Sequence, residues 1–357
     1  PLGQAPMAYL LWTRYLRHDP ADPLWPNRDR FVLSCGHASA LLYGLLHLAG
    51  YDLPLAELER FRQLDSKTPG HPEFGHTPGV ETTTGPLGQG LATAVGMAIA
   101  REQLAARFAA GDAPLFDYRT WVLASDGDLM EGVASEAASL AGHLRLGCLK
   151  VLYDANRISI DGSTDLAFTE QVDRRFAAYG WNVIEVLDGN DLATLGAAMA
   201  AAETEGRRPT LIVVHTHIGF GSPHKQDSAD SHGAPLGAEE TRLTKAALGW
   251  PAEPAFRIPP AARVPFAAAA ARGAAAAQAW RDRRARFAAA EPELARELGR
   301  RAARALPEGW EAALPRFTAA DKAIATRAVS GKVLQAIASV LPELLGGSAD
   351  LAESNNT

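Results

Sequence analysis

Two polar residues, Asp126 and Asn156, stand thirty positions apart in a setting that suits metal chemistry. Asp126 lies in Ser125-Asp126-Gly127, directly after the apolar run 120–124. Asn156 lies in Tyr153-Asp154-Ala155-Asn156-Arg157-Ile158, directly after the apolar run 149–153. As neighbouring parallel strands, the two runs deliver both side chains to one carboxyl edge, where open α/β sheets bind ligands. One carboxylate, one amide oxygen and a nearby backbone carbonyl form an all-oxygen set. Hard cations such as Mg²⁺ or Ca²⁺ take such ligands, with phosphate oxygens and water completing the shell. Gly127 is expected to let the backbone turn sharply after the strand. Taken singly, Asp126-Gly127 reads as a turn and Asn156 as a loop cap; the pair at this spacing points to a cation.

Histidines form the second group. His37 in Ser34-Cys35-Gly36-His37, His71 in Pro69-Gly70-His71-Pro72 and His232 in Asp230-Ser231-His232-Gly233 sit in Gly- and Pro-rich loops after apolar elements. Catalytic side chains concentrate in such loops, and a neutral imidazole exchanges protons near neutral pH. His18, His47, His76 and His143 are expected to be ordinary surface residues. A nucleophilic Cys35–His37 pair lacks an orienting third group and is set aside.

The elements that must position these residues alternate between helix and strand over positions 1–250. Strands are expected at 30–34, 120–124, 149–153, 182–186 and 210–215. Helices are expected at 6–16, 39–49, 91–108, 131–144 and 192–205. The fold expected is α/β, an open and mostly parallel sheet with helices on both faces. After Trp250 a Pro-rich stretch leads into an Ala- and Arg-rich segment, 261–305, expected to be a connecting pair of exposed helices. A helix over 320–341 and a strand over 343–347 then open a second α/β pattern. The domain organisation expected is 1–250, a helical linker over 251–317, and the beginning of a second domain over 318–357. With no initiator Met and a polar final run, 348–357, the chain reads as a piece of a longer protein.

Composition bounds the function. The 357 residues are 47% hydrophobic and 21% charged, enough apolar material for a sizeable core. A net charge of −6 argues against a nucleic-acid binder, which needs a basic face. No apolar run approaches a membrane span and no signal peptide opens the chain. Two cysteines, Cys35 and Cys148, build no disulfide framework, so a cytoplasmic home is expected. A dehydrogenase is excluded by the lack of a Gly-x-Gly-x-x-Gly turn, and no Walker loop or Gly-x-Ser-x-Gly elbow is present.

Together these strings resemble the transketolase family. The Asp126–Asn156 spacing is similar to the thiamine diphosphate motif. More discriminating are Glu131-Gly132, Ile158-Ser159-Ile160-Asp161-Gly162, Ser66 to Glu73, Gly79 to Gly90 with its Thr82-Thr83-Thr84-Gly85-Pro86-Leu87-Gly88-Gln89-Gly90, and Asp230 to Gly237. The likeness covers essentially the whole chain. It implies two-carbon ketol transfer from a ketose phosphate to an aldose phosphate, as in the pentose phosphate pathway, with thiamine diphosphate supplying the carbanion and enamine chemistry.

By the same resemblance, Asp126, Asn156 and the carbonyl of Ile158 hold Mg²⁺ (or Ca²⁺), which neutralises the cofactor diphosphate. Gly127 lets the backbone approach that diphosphate, and Gly85, Pro86 and Leu87 pack along the cofactor. His37, His71 and His232 line the substrate channel, with His232 also reaching the diphosphate. Glu131 matches a buried interface glutamate that communicates with a partner subunit, so a homodimer with shared active sites is implied. Arg327 and Ser354 bind the sugar phosphate, and Asp350 lies near donor and cofactor. The 1–250 segment becomes the diphosphate-binding domain and 318–357 the start of the pyrimidine-binding domain. A further active-site His before Pro1, and the cofactor-activating glutamate and pyrimidine-clasping aromatics beyond position 357, are expected outside this chain, which alone is then inactive. Ser125, Ala155 and Cys35 depart from the family's usual Gly, Asp and Asn. Dihydroxyacetone synthase, deoxyxylulose phosphate synthase and a non-catalytic split subunit are the competing readings.

Overall fold

The protein is described by a computed structural model covering residues 1–110 and 113–357. Five strands form one sheet: β1 (Arg30–Leu33), β2 (Thr120–Ser125), β3 (Leu149–Ala155), β4 (Asn182–Val186) and β5 (Thr210–His215). Their order is β1-β2-β3-β5-β4 and every pairing is parallel. Register fixes the site: Ser125, last residue of β2, pairs with Asp154 on β3, and Ala155, last of β3, pairs with His215 on β5. Asp126 and Asn156 therefore leave the sheet at one edge, as the sequence spacing predicts.

Strands buried on both faces read as continuous apolar runs, and these strands split by parity. Phe31, Leu33, Trp121, Leu123, Leu152, Ile212 and Val214 face one core with helices α1 (Ala5–Leu10), α2 (Ser39–Ala49) and α7 (Leu192–Thr204). Val32, Val122, Ala124, Val151, Tyr153, Leu211 and Val213 face the other, with α3 (Gln89–Arg107), α5 (Gly132–His143) and α6 (Val172–Ala178). A short helix, α4 (Asp126–Met130), lies between β2 and α5. Each fully buried Leu, Val or Phe contributes about 1.5–3 kcal/mol of transfer free energy, so both faces hold the sheet and the edge stays free for ligands. No described helix is long and apolar enough to cross a membrane.

The described residues form two compact units, Pro1–Arg284 and Ala285–Thr357. In the first, α8 (Ala238–Ala247) follows the Gly-rich loop after β5. The long α9 (Pro260–Ala290) corrects the expectation of exposed connecting helices. Phe266, Ala269, Ala277 and Trp280 on this helix are buried. Phe266 meets Tyr9 edge-on at 6.1 Å, and the Trp280 Nε1–H donates to the Leu115 carbonyl at 2.8 Å. Gly273 permits this packing, because a Cβ there would overlap the His18 carbonyl. The apolar residues were masked in sequence by surrounding Ala and Arg.

In the second unit, α10 (Pro292–Ala302) and α11 (Thr326–Ala338) are helices as expected, but the strand expected over 343–347 is absent. That segment has no strand to pair with. Glu343 instead accepts a forked pair of hydrogen bonds from Arg300 at 2.7 and 2.9 Å.

His18 also departs from expectation: it is buried, its ring 5.2 Å from Trp12 and stacked on Tyr51 at 5.8 Å. Its Nε2 has no hydrogen-bond partner. Burial lowers its pKa to about 4, outweighing the contact with the Trp12 backbone. The unfolded chain, with an ordinary value near 6.5, takes up this proton first as pH falls. Its contribution is therefore intact above pH ~6.5 and lost toward pH ~4, at about 1.4 kcal/mol per pKa unit. Melting temperatures of the parent and His18→Phe between pH 7 and 4 check this: the fall of stability with acid should be shallower in the variant.

Candidate functional site

The site is organised by a buried carboxylate that the sequence reading passed over. Asp128 is fully buried in α4. Its Oδ1 accepts from the Ser34 hydroxyl at 2.9 Å and from the Gly88 N–H at 3.0 Å, and its Oδ2 accepts from the Ser125 N–H at 3.1 Å. Ser34 Oγ in turn accepts from the Leu91 N–H at 3.1 Å. The ends of β1 and β2 and the start of α3 are thereby tied to one group. Ser125 and Asp128 form a capping box on α4; Ser-x-x-Asp in the sequence was the available signal. The capping box gives Ser125 a structural role at the start of α4.

Gly127 is a helical residue of α4 and not the sharp turn expected, because that box starts the helix at Asp126. Smallness is what its position demands: a Cβ would stand 3.1 Å from Leu87 Cδ1. Leu87 thus packs beside Gly127. Gly85, at φ +145°, has the His71 ring 3.3 Å from where its Cβ would be, while its N–H nitrogen would lie 2.8 Å from a Cβ on Gly36. A side chain at Gly85 would be strained. The segment Gly85-Pro86-Leu87 therefore spans from the His37 loop to α4.

Asp126 is buried, with Oδ1 accepting from the Tyr153 hydroxyl at 2.5 Å and Oδ2 from the Arg157 N–H at 3.0 Å. The Asn156 backbone also hydrogen-bonds to it. Arg157 adopts a left-handed conformation, φ +62°, and successive N–H groups there form an anion-holding nest. The next N–H, from Ile158, donates to Asn156 Oδ1 at 3.0 Å. Consecutive N–H groups thus serve the two expected ligand oxygens in turn, placing them on one bend of chain with the Ile158 carbonyl. Burial raises the Asp126 pKa to about 6, against the opposing Tyr153 bond. It has no side-chain ion-pair partner among the described residues.

These residues fit a divalent cation: a desolvated carboxylate without a counter-charge, beside an amide oxygen and the Ile158 backbone carbonyl, which His232 also contacts. No cluster of three His, Cys, Asp or Glu side chains suited to a metal occurs among the described residues. An Asp–Asn–carbonyl set needs none.

Beside this bend lies a cavity of about 530 Å³ lined by His37, His232, Asn156, Ile158, Asp154 and Arg62, among others. His37 and His232 stack with ring centroids 4.9 Å apart. Burial lowers the His37 pKa to about 4, with repulsion from His232 second; burial also lowers that of His232, opposed by its contact with the Ile158 backbone. Both imidazoles are neutral at pH 7. The His232 Nδ1 is buried without a hydrogen-bond partner. His71 is exposed and outside the cavity lining. Asp126 opens on a neighbouring cleft of about 360 Å³ instead of the histidine cavity.

Glu131, expected to be buried, is exposed in this chain and caps α5, its carbonyl accepting from the Ala134 N–H at 3.1 Å. Cys35 is buried and its thiol is held well above its ordinary pKa by desolvation, so it is no nucleophile. Arg327, Asp350 and Ser354 are exposed residues of the second unit. Arg327 lies in the first turn of α11 and Ser354 in the short helix Ala352–Asn355. Asn356, next to that helix, packs against Gly331 of α11, where a Cβ would be 2.5 Å away.

The model of the family described as transketolase, thiamine diphosphate binding domain, matches residues 1–307. A transketolase of Geobacillus stearothermophilus is 54% identical over 358 aligned residues, covering 100% of this chain and 53% of that protein. Transketolase 2 of Escherichia coli strain K12 is 51% identical, covering 100% of this chain and 54% of its own length. Among solved structures, the transketolase from Leishmania mexicana superposes with a TM-score of 0.95 at 47% identity, over 100% of this chain and 53% of that one. A Pichia stipitis transketolase in complex with sedoheptulose-7-phosphate gives 0.94 at 48%, over 99% and 52%. The chain spans about half the length of the curated relatives it matches.

Removing the His232 charge should let His37 titrate higher. In proton NMR of His232→Gln, the His37 ring midpoint is expected to rise from near 4; an unmoved midpoint would show that His232 does not depress it.

Proposed function

Since the chain belongs to the transketolase family, we propose that its cavity and the Asp126–Asn156 bend are the diphosphate and metal end of a ketol-transferase site. The observation that carries this is the run of consecutive N–H groups, Arg157 to Asp126 and Ile158 to Asn156, next to the stacked His37–His232 pair. Asp126, Asn156 and the Ile158 carbonyl would hold Mg²⁺ or Ca²⁺ against the diphosphate of thiamine diphosphate. Gly85, Pro86, Leu87 and Gly127 would form the wall beside it. Bound thiamine diphosphate supplies the nucleophilic carbon and the electron sink for moving a two-carbon ketol unit.

The chain's own residues do the rest at this end. His37 and His232 are uncharged at neutral pH, so they can give or accept a hydrogen bond at the hydroxyls and carbonyl of a sugar phosphate, and hold a proton in transit. His71, beside Gly85, would act at the entrance. Asp126, which has no side-chain ion-pair partner among the described residues, would hold a cation able to compensate the diphosphate charge. Arg327 and Ser354 would bind the sugar phosphate, Arg through its fixed charge and forked donors, with Asp350 near the donor. Glu131, exposed here, would meet a second copy of the chain in a homodimer. The organisation proposed is a diphosphate-binding domain over 1–250, a linker over 251–317 and the start of a pyrimidine-binding domain over 318–357. Two buried, unpaired cysteines suit a reducing cytoplasm.

Titration calorimetry with thiamine diphosphate, with and without Mg²⁺, tests the reading on this chain and on the chain extended to its relatives' length. Binding should require the cation, and Asp126→Ala or Asn156→Ala should weaken it at least ~100-fold, about 2.7 kcal/mol. Metal-independent binding, or none in the extended protein, would overturn the assignment.

A further inference from the structure

Resting on the reading of Asn156 as a cation ligand, the hydrogen bonds around its amide carry a further assignment. The oxygen and nitrogen ends of an amide have nearly the same shape, so its environment must tell them apart. Asn156 Nδ2 donates to Asp154 Oδ2 at 3.1 Å, while Oδ1 accepts from the Ile158 N–H at 3.0 Å. Asp154 is 3% exposed, and an ionised carboxylate only accepts. With the amide turned over, Asn156 would set an oxygen against that carboxylate and an NH2 against the Ile158 N–H. Both contacts would be repulsive.

Asp154 is itself held. The Gln4 Nε2 donates to its Oδ2 at 2.8 Å, and the Thr216 hydroxyl donates to its Oδ1. Gln4 is 4% exposed, lies just before α1 and also reaches Cys35 Sγ at 3.5 Å. Its own orientation is unambiguous, since only the nitrogen end can face Asp154. The Gln4 Oε1 has no partner, so the residue is kept in place by what its nitrogen does. We propose that Asp154 and Gln4 are positioning residues: Asp154 fixes which end of the Asn156 amide is offered to the cation, and Gln4 holds Asp154 in place. What Asp154 contributes is an acceptor and a direction; its charge is not the operative property.

The proposal separates variants of nearly equal size. Asp154→Asn can keep its oxygen toward Gln4 and Asn156 and turn its NH2 to the Thr216 hydroxyl oxygen. Asp154→Leu offers no acceptor, and Gln4→Met removes the donor that holds Asp154. Mn²⁺ affinity, read from the electron paramagnetic resonance signal of free Mn²⁺ in the presence of thiamine diphosphate, is measured on the chain extended to its relatives' length. Melting temperature is followed alongside.

Loss of a partner that orients a metal ligand weakens metal binding roughly 10–100-fold. The Kd for Mn²⁺ should rise by that factor in Asp154→Leu and severalfold in Gln4→Met, and stay within about threefold of the parent in Asp154→Asn. A loss in Asp154→Asn of tenfold or more would make charge the operative property and overturn the proposal. So would parental affinity in Gln4→Met, and either result stands even where Asp154→Leu fails to fold. Asn156→Ala is the control for the underlying reading: unchanged Mn²⁺ affinity there removes Asn156 as a ligand and this assignment with it.

Discussion

A carboxylate taken out of water costs several kcal/mol unless donors surround it. Asp128 meets this demand with the Ser34 hydroxyl and the backbone N–H groups of Gly88 and Ser125. These donors come from three places far apart in sequence, and each borders a loop that carries candidate site residues. Ser34 precedes His37, Gly88 closes Gly85-Pro86-Leu87, and Ser125 precedes Asp126. Because all three donors bond to this one carboxylate, the three loops converge on one point. The sheet supplies the edge, and Asp128 decides how the loops leave it.

A second arrangement of the same kind works one strand away. Arg157 in its left-handed conformation turns successive N–H groups toward Asp126 and Asn156. The bend, the Asp126 and Asn156 side-chain oxygens and the Ile158 carbonyl are consequently held together. The stacked imidazoles line the same cavity as Asn156; burial lowers the pKa of both, and His232 adds to the lowering at His37. The physical account of this stretch comes from the chain's own contacts.

Much of this was legible in the residues. Strands β4 and β5 match their expected limits because apolar runs between Gly, Pro and polar punctuation leave little freedom in their placement. The Asp126–Asn156 pairing followed from strand adjacency alone. Other features depended on tertiary context. His18 is polar, and nothing local announces that Trp12 and Tyr51 will enclose it. The buried stripe of α9, Phe266 to Trp280, is diluted by Ala and Arg, which give no helical contrast. Residues 343–347 have strand-like composition, yet a strand exists only with a neighbour to bond. Gln4, Asp154 and Thr216 lie 62 to 212 positions apart, so no local pattern joins them. Asp128 does carry a local signal, since Ser125-x-x-Asp128 is a helix-start signature, but it overlaps the Asp126-Gly127 motif.

The carboxyl edge of the sheet gathers Asp126, Asp128 and Asp154, all buried and none in a side-chain ion pair among the described residues. Hydrogen bonds relieve the cost of burying them but cancel no charge. Such an edge is an electrostatic debt held within the folded state, and a cation that binds only that state adds RT ln(1 + [L]/Kd) to its stability. Any cation that binds only the folded chain at this edge would thereby couple its own supply to how long the fold persists.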